Sequence, residues 1–513
     1  MKDISIFNQV IGPVMRGPSS SHTAGGFFIG KIAASLLGEP AREVEVALDP
    51  DGSYARTYRE QAADLSFACG LLGIELVDER FFQALDIARE RGVKIEFSLR
   101  RLDRADHPNA MDIKLVSASG RNLRIRAASV GGGSVEVREI EGWPVNFTGL
   151  YHEMAVEAEA GAAESIRQKL TPLPRLVEEP GSQVRDGAAL VSARAREPFP
   201  EALLTEIKSA PGARRVWMIQ PVCPVIKNKP PFSSAAEMVR LAGERNISPG
   251  ELALEYEAEV LGWSKAQVLE EAERRFRIMQ QAVHEGLEFR GEKVQLLKPS
   301  AGKIFADEKL ARLPLGGTYL RAGARAMAVM HVNGRRGVVC AAPTGGSAGT
   351  LPGVLVTLFE DERVPLEKIL RGLLAAGAIG LIVDSRATFA AEVAGCQVEI
   401  GAAGAMAAAA VVDIFGGSVR QAADAAAIAF QNIMGSICDL VQGKVEIPCH
   451  TRNAMGAANA LLCSGLIIGG YENPIDLDET IDAVYEVGKM LPPELRCTAR
   501  GGLALCPSAL RLQ

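Results

Sequence analysis

PLEKILRGLLAAGAIGLIVDSRATFAAEVAGCQVEIGAAGAMAAAAVVDIF, residues 365–415, is apolar nearly all round a helical projection, and Ala and Gly dominate it. A helix that is apolar on every side is a buried one, and small side chains let such helices approach closely. The pattern continues to about residue 467. Upstream, AAEMVRLAGERN (235–246), SPGELALEYEAEVLGW (248–263) and SKAQVLEEAERRFRIMQQAVHEGLEF (264–289) have helical periodicity with charge pairs along one face. Ser248 and Ser264 are suitable N-caps. The expectation is an all-α C-terminal domain, residues 223–513, in which polar helices wrap small-residue core helices.

Working outward, the first 147 residues read differently. REVEVALDP (42–50), KIEFSLRRLD (94–103), AMDIKLVSASG (110–120) and NLRIRAASV (122–130) alternate or run β-rich, as strands do, while 24–37 and 79–91 read as helices. This is an α/β unit. Residues 148–222 follow the order βαββαβ, the ferredoxin-like plan, and PVCPVIKNKPPF (221–232) reads as a linker. The chain is therefore expected to be multidomain α+β: 1–147, 148–222 and 223–513.

A formal charge of −6, 48% hydrophobic and 23% charged residues suit a folded globular protein and give no basic footprint for nucleic acid. Uncharged stretches at 337–359 and 453–471 could span a bilayer by length. Pro343, Pro352 and several glycines in the first, and Asn453 and Asn459 in the second, argue for buried, site-forming segments instead. MKDISIFNQV lacks the layout of an export signal. Nine cysteines in 513 residues are too few for a secreted disulfide scaffold. The expectation is a cytoplasmic protein with reduced thiols, no membrane contact, and a homodimeric state.

Four cysteines stand out by context: Cys396 in AEVAGCQVEIG, Cys438 in MGSICDLVQG, Cys449 in EIPCHTRN and Cys506 in GGLALCPS. Cys69, Cys340 and Cys463 read as small core hydrophobes. With no CxxC pair, a zinc ribbon is disfavoured; ligands scattered over 53 residues suit a cluster held between several helices. Ser19, Ser20, Ser21, His22 and Thr23, in GPSSSHTAG (17–25), precede a helix and offer donors to a carboxylate or phosphate, or else cap that helix. Gly131, Gly132 and Gly133 follow a strand and permit close backbone approach. Thr344 and Ser347 lie in APTGGSAGTLPG (342–353), a donor-rich turn without the lysine of a P-loop.

Together, GPSSSHTAG, GGG followed by EIEGWPV (139–145), APTGGSAGTLPGVL (342–355), AGCQVEIG (394–401) and PCHTRNAMGAANAL (448–461) resemble the iron–sulfur-dependent L-serine dehydratases along the whole chain. The resemblance implies a fused β portion (1–147), an ACT-type domain (148–222) and an α portion, with conversion of L-serine to pyruvate and ammonia. It also implies a [4Fe–4S] cluster on Cys396, Cys438 and Cys449, with one iron open to an amino-acid substrate. The near-terminal cysteine that caps this iron in the family is matched by Cys506, with Cys497 the less favoured choice. His22 and His107 are retained as candidate bases, with Asn109 beside His107. One departure stands out: where the family has GHGTD after GSxAxT, this chain reads Gly52-Ser53-Tyr54-Ala55-Arg56-Thr57-Tyr58-Arg59-Glu60-Gln61, with Asp64 kept. Gln61 thus replaces a histidine and cannot serve as a base. It is expected to contact substrate as a neutral partner, which opens the alternatives of L-cysteine or a larger β-hydroxy acid. A non-catalytic amino-acid sensor is the third reading. The turn Glu159–Glu164 lacks the Asp-Xaa-Pro-Gly pattern by which many ACT domains take amino acids, so that unit is expected to be structural or weakly regulatory.

Overall fold

The computed structural model describes residues 2–512. After a short strand β1 (Val14–Arg16), six strands form one sheet: β2 (Ala41–Leu48), β3 (Lys94–Leu99), β4 (Ala110–Ser117), β5 (Asn122–Gly131), β6 (Ser134–Ile140) and β7 (Trp143–Phe147). Their order is β3-β2-β4-β5-β6-β7, with β2 and β3 parallel and the other neighbours antiparallel. Helix Gly25–Leu37 supplies Ile29, Ile32, Ala33, Leu36 and Leu37 to cover one face, against Val44, Val46, Ile113 and Ile125. Helix Ala63–Leu72 packs on Gly25–Leu37 so tightly that a Cβ at Gly30 would lie 2.3 Å from Phe67 O.

Next come β8 (His152–Glu159), β9 (Gly181–Arg185), β10 (Ala188–Ala195) and β11 (Ala213–Ile219), with helices Ala163–Leu170 and Glu201–Lys208. The sheet order β11-β8-β10-β9 with antiparallel neighbours is the ferredoxin-like arrangement that the βαββαβ order requires. Its own core gathers Met154, Val156, Ile166, Leu170 and Val191.

From Ala235 the chain is helical except for β12 (Val338–Cys340). Helix Ile400–Ile414 is central and lies against Leu366–Arg386, Val419–Gln431 and Cys449–Ile468. Cys396–Ile414, apolar and long enough on composition to cross a bilayer, is 89% buried within the protein. Helix Cys449–Ile468 departs from the all-round burial expected of this region. Its inner face holds Asn453, Ala457, Ala460 and Cys463, while Leu462, Leu466 and Ile468 are exposed.

The N-terminal arm belongs physically to the helical core. Ile4, Ile6, Phe7, Val10 and Ile11 are buried there, and β1 pairs antiparallel with β12. Glu257, fully buried, anchors the arm: its carboxylate accepts from Ser5 Oγ at 2.5 Å, Ile6 N at 2.8 Å and Phe7 N at 3.0 Å. Glu257→Ala leaves two backbone N–H groups buried without partners, so it is expected to cost about 3 kcal/mol. Urea denaturation will show this as a lowered midpoint; an unchanged midpoint would mean the arm does not contribute to the core.

Candidate active site

Two carboxylates, buried Glu392 and half-buried Glu399, organise the site where the β2–β7 unit meets the helices. Glu392 sits on the turn Ala391–Ala394, and Glu399 precedes Ile400–Ile414. From the first unit, Ser21 Oγ donates to Glu392 Oε1 at 2.5 Å and Asn109 Nδ2 donates to the same atom at 3.0 Å. His22 Nδ1 lies 3.5 Å from it. Among the described residues, Glu392 Oε2 and Asn109 Oδ1 are buried acceptors without a donor.

The loop carrying Ser21 is wholly buried. Ser19, Ser20, Ser21, His22 and Thr23 are all at most 8% exposed, in a helical turn leading into Gly25–Leu37. Ser19 Oγ accepts from His22 N at 3.2 Å, the N-capping role. Thr23 Oγ1 donates to Gln61 O at 2.8 Å. The network fixes the His22 tautomer. Thr57 Oγ1 gives its only proton to Ser53 O at 2.7 Å, and Ser53 Oγ gives its own to Cys497 O at 2.9 Å. Both hydroxyls therefore accept from His22 Nε2–H, at 2.9 and 3.3 Å, and Nδ1 carries no proton; it accepts from Ser19 Oγ at 3.2 Å, with Ser21 Oγ 3.1 Å away and Glu392 beyond. Burial pushes the imidazole down to about 4 against the pull of Glu392, so it is neutral at pH 7. His107 accepts from Asn109 N through Nδ1 at 3.1 Å; burial lowers it, and Glu392 opposes.

The two carboxyls are pushed apart. Burial works to raise Glu392, but the charge of His22 whenever that ring is protonated, and at all times the hydrogen bonds from Ser21 and Asn109, hold it below the usual carboxylate range. Glu399 is pushed up to about 8 by burial and by Glu392, and so carries a proton at neutral pH. Thr344 Oγ1 donates to Glu399 Oε1 at 2.8 Å, and Ser347 Oγ lies 3.1 Å from Thr344 Oγ1. Gly345 N donates to Ser20 Oγ at 3.2 Å, joining the two donor-rich loops; a Cβ at Gly345 would lie 2.9 Å from Ser20 N.

Behind Glu399 lies a thiol group. Cys396 Sγ, Cys438 Sγ and a Glu399 carboxylate oxygen are within 4.8 Å of one another. Cys396, Cys438 and Cys497 pack together with Ala391, Ile400, Ile433 and Leu440. A pair of backbone bonds sets this up: Cys438 N donates to Leu495 O at 2.9 Å and Cys497 N to Cys438 O at 3.0 Å. Gly395, with φ 76°, turns the chain into Cys396 where a Cβ would lie 2.7 Å from Ser436 O. Cys449 opens the helix Cys449–Ile468; burial, Cys396 and Glu399 push its thiol well above the ordinary range. Cys497 is pushed up to about 11 by burial, against the bond from Cys438. Arg452 donates to Ile437 O at 2.8 Å and Asp439 Oδ1 at 3.0 Å, placing a cation beside the thiols. Asn453 couples this helix to the 342–353 loop, accepting from Gly349 N and Thr350 N at 3.1 Å and donating to Gly346 O at 2.9 Å.

The structure thus gathers Cys396, Cys438, His22, half-buried His107, the Ser19–Thr23 loop, Thr344 and Ser347 in one region, with Cys449 alongside, packed on Met330 and Val445 but within the electrostatic reach of Cys396 and Glu399. Cys506 packs elsewhere, half-buried against Leu296, Val441 and Ala509, and Cys497 joins the thiols instead. Gln61 points its Nε2 at Gly443 O, 3.1 Å away, tying the two units together. Gly131 backs the site: a Cβ there would lie 2.7 Å from Ala390 N, two residues before Glu392. Glu392 and Glu399 escaped the sequence reading, and Cys497 was its less favoured choice for the near-terminal thiol. The available signal was two carboxylates seven residues apart in an otherwise apolar run around Cys396.

The family model for the serine dehydratase alpha chain matches residues 225–504. A "Probable L-serine dehydratase, alpha chain" of Bacillus subtilis (strain 168) is 36% identical over 282 residues, covering 55% of this chain and 94% of the relative. The "L-serine dehydratase, alpha chain" of Peptoniphilus asaccharolyticus is 33% identical over 274 residues, covering 53% and 94%. "L-serine dehydratase TdcG" of Escherichia coli (strain K12) is 32% identical over 288 residues, covering 53% and 62%. These relatives make the chain an enzyme of the lyase class. The chain belongs to the iron–sulfur L-serine dehydratase family, with β and α portions fused in one polypeptide.

Proposed function

We propose that the protein deaminates L-serine to pyruvate and ammonia, using a [4Fe–4S] cluster that Cys396, Cys438 and Cys449 would hold, with Cys497 the thiol that would cap the remaining iron until serine replaces it. The observation that carries this reading is the meeting of the thiols with Glu392 and Glu399 beneath the Ser19–Thr23 loop. The donor set fits the group. Buried thiols with raised pKa values stay protonated unless positive charge arrives, and ligated iron supplies that charge. When bound, such a cluster supplies Lewis acidity toward the departing hydroxyl.

The protein's own groups account for the rest. Glu392 Oε2 and Asn109 Oδ1, both lacking donors, would accept from the α-ammonium. Ser19, Ser20 and the adjoining 342–353 loop offer hydrogen bonds to the carboxylate. The unprotonated His22 Nδ1, exchanging its Ser19 hydrogen bond for the substrate, takes the α-proton, and the resulting positive charge is stabilised by ionised Glu392 beside it. The β-hydroxyl leaves with the proton carried by Glu399, so one C–H and one C–O bond break and water departs. The enamine then tautomerises and hydrolyses to the 2-oxo acid and ammonia. His107 stands behind Asn109 as a positioning group.

Gln61 is engaged with the Gly443 carbonyl, which favours an interdomain tie over a contact that selects another substrate. The test is an anaerobic turnover panel on reconstituted protein: serine, threonine, cysteine and 3-hydroxy acids. Serine is expected to give pyruvate and ammonia with the highest kcat/KM. Sulfide from cysteine at a higher kcat/KM, or no turnover by iron-loaded protein, would overturn the reading.

The pH profile follows from His22. Because the folded imidazole is held at about 4, protonation inactivates it only far below the ordinary histidine range. The expected kcat/KM shows no loss as pH falls through ~6.5, the free histidine value. An acid limb centred at or above that value, with cluster content constant, would remove His22 as the base.

A further inference from the structure

Away from the thiols, a cavity of about 530 Å³ opens where all three parts of the chain meet. Its walls come from the N-terminal arm, from β5–β7, from the ferredoxin-like unit and from the end of helix Leu366–Arg386. We propose that this cavity is a regulatory site for a free α-amino acid with a medium-sized apolar side chain.

The volume lies in the range of small-molecule sites. The charge inventory narrows the chemistry. Arg194 is committed to Glu178 and Arg196 to Asp3, at 2.7 and 2.8 Å, while Glu136 is held by Arg138 at 2.8 Å. Lys2, also on the wall, donates to the Asp384 carbonyl O at 2.7 Å, which leaves exposed Lys229 as a cation for a carboxylate and the Asp384 side chain as an anion for an ammonium. Asp384 is pushed up by burial with Lys2 the charge opposing it, so an added ammonium there would be stabilising. Asn8 Oδ1, also on the wall, is a buried acceptor without a partner among the described residues. One cation and two acceptors match a zwitterion. The remaining wall sets Ile4, Phe28, Leu150, Val177 and Val222, available to an aliphatic side chain, among polar Gln9, Ser134, Asn146 and Thr148.

The position argues for regulation. Tyr151, at the start of β8, and Arg194 and Arg196, at the end of β10, put the cavity at one end of that sheet, opposite the Glu159–Glu164 turn. The cavity also includes Val130 and Gly133, which flank the Gly131–Gly132 turn. That turn presses on Phe389 and Ala390: a Cβ at Gly132 would lie 3.3 Å from the Phe389 ring, and one at Gly131 2.7 Å from Ala390 N. Two residues on stands Glu392. An occupant that shifts this turn moves Glu392 and so changes affinity at the active site; by linkage, an active-site ligand changes affinity here equally.

Binding is read by equilibrium dialysis of labelled L-leucine and L-valine against the full-length holoprotein, independently of turnover. One site per chain, saturable, selective against the D-isomers and not displaced by saturating L-serine, is expected. Asp384→Asn and Lys229→Ala, neither in the active site, should each weaken binding by about tenfold or more, equivalent to ~1.4 kcal/mol. Bound leucine should also change the KM for serine, which rests on the function proposed above; the dialysis does not. No saturable binding to the parent protein, displacement by serine, or equal binding by both variants would overturn the proposal.

Discussion

Cys396→Ser is expected to yield folded protein that takes up little iron and turns over no serine. Cys396 is the meeting point of the site: its thiol touches Cys438, lies within 4.8 Å of Glu399 and lies in the field of Arg452. Loss of an outer-shell partner typically costs 10–100-fold in metal affinity, and loss of a ligand should cost more than ~100-fold. Iron and sulfide analysis after anaerobic reconstitution, with circular dichroism as the folding control, checks this. Cys506→Ser provides the contrast. Cys506 packs against Val441 and Ala509 rather than among the thiols, so its variant should keep both iron and activity. The reverse result, with iron lost from Cys506→Ser and kept in Cys396→Ser, would mean the wrong sulfurs have been grouped.

Glu392→Gln should lower kcat/KM by about 10³-fold, within the range for a positioned acid–base group. The substitution keeps the shape and an acceptor oxygen for Ser21 and Asn109, but removes the charge that faces His22 Nδ1. Iron content should be unchanged, since Glu392 is not among the grouped ligand atoms. Activity within about threefold of the parent would show that the carboxylate serves the fold rather than the chemistry.

Much of this arrangement was legible in the residues because it is local. The alternation in 152–159 and 188–195, with helical periods between and after, yields the ferredoxin-like sheet order directly. The Ala/Gly-rich run around 400–414 had to be a central helix, since Asp413 near its end is its only charged or strongly polar side chain. The helix Ala63–Leu72 was missed: it carries Gly70, lacks a side-chain N-cap and starts after Ala62 at φ 54°. Its stability comes from contact with Gly25–Leu37, which no local pattern announces. The N-terminal arm likewise enters the helical core through pairing between Val14 and Cys340, residues far apart in the chain.

The site divides the same way. Clusters of donors such as Ser19–Thr23 are visible as text. Choosing between Cys497 and Cys506 requires the backbone pairing of Cys438 with the 495–497 segment, a tertiary fact. Placing Cys506 with the ligands followed from its position after Gly501–Gly502; in the fold that turn delivers it to Val441 and Ala509 instead. Gln61, read as a substrate contact because it stands where a histidine is customary, spends its amide on Gly443.

The central claim is that a cluster held by these cysteines presents iron to serine beneath Glu392 and Glu399. Mössbauer spectroscopy of protein reconstituted with ⁵⁷Fe, recorded before and after L-serine addition, tests it most directly. The account predicts that roughly one quarter of the cluster iron, a single site of four, changes its parameters on serine addition. A spectrum that serine leaves unaltered, in protein with full iron content, would contradict it.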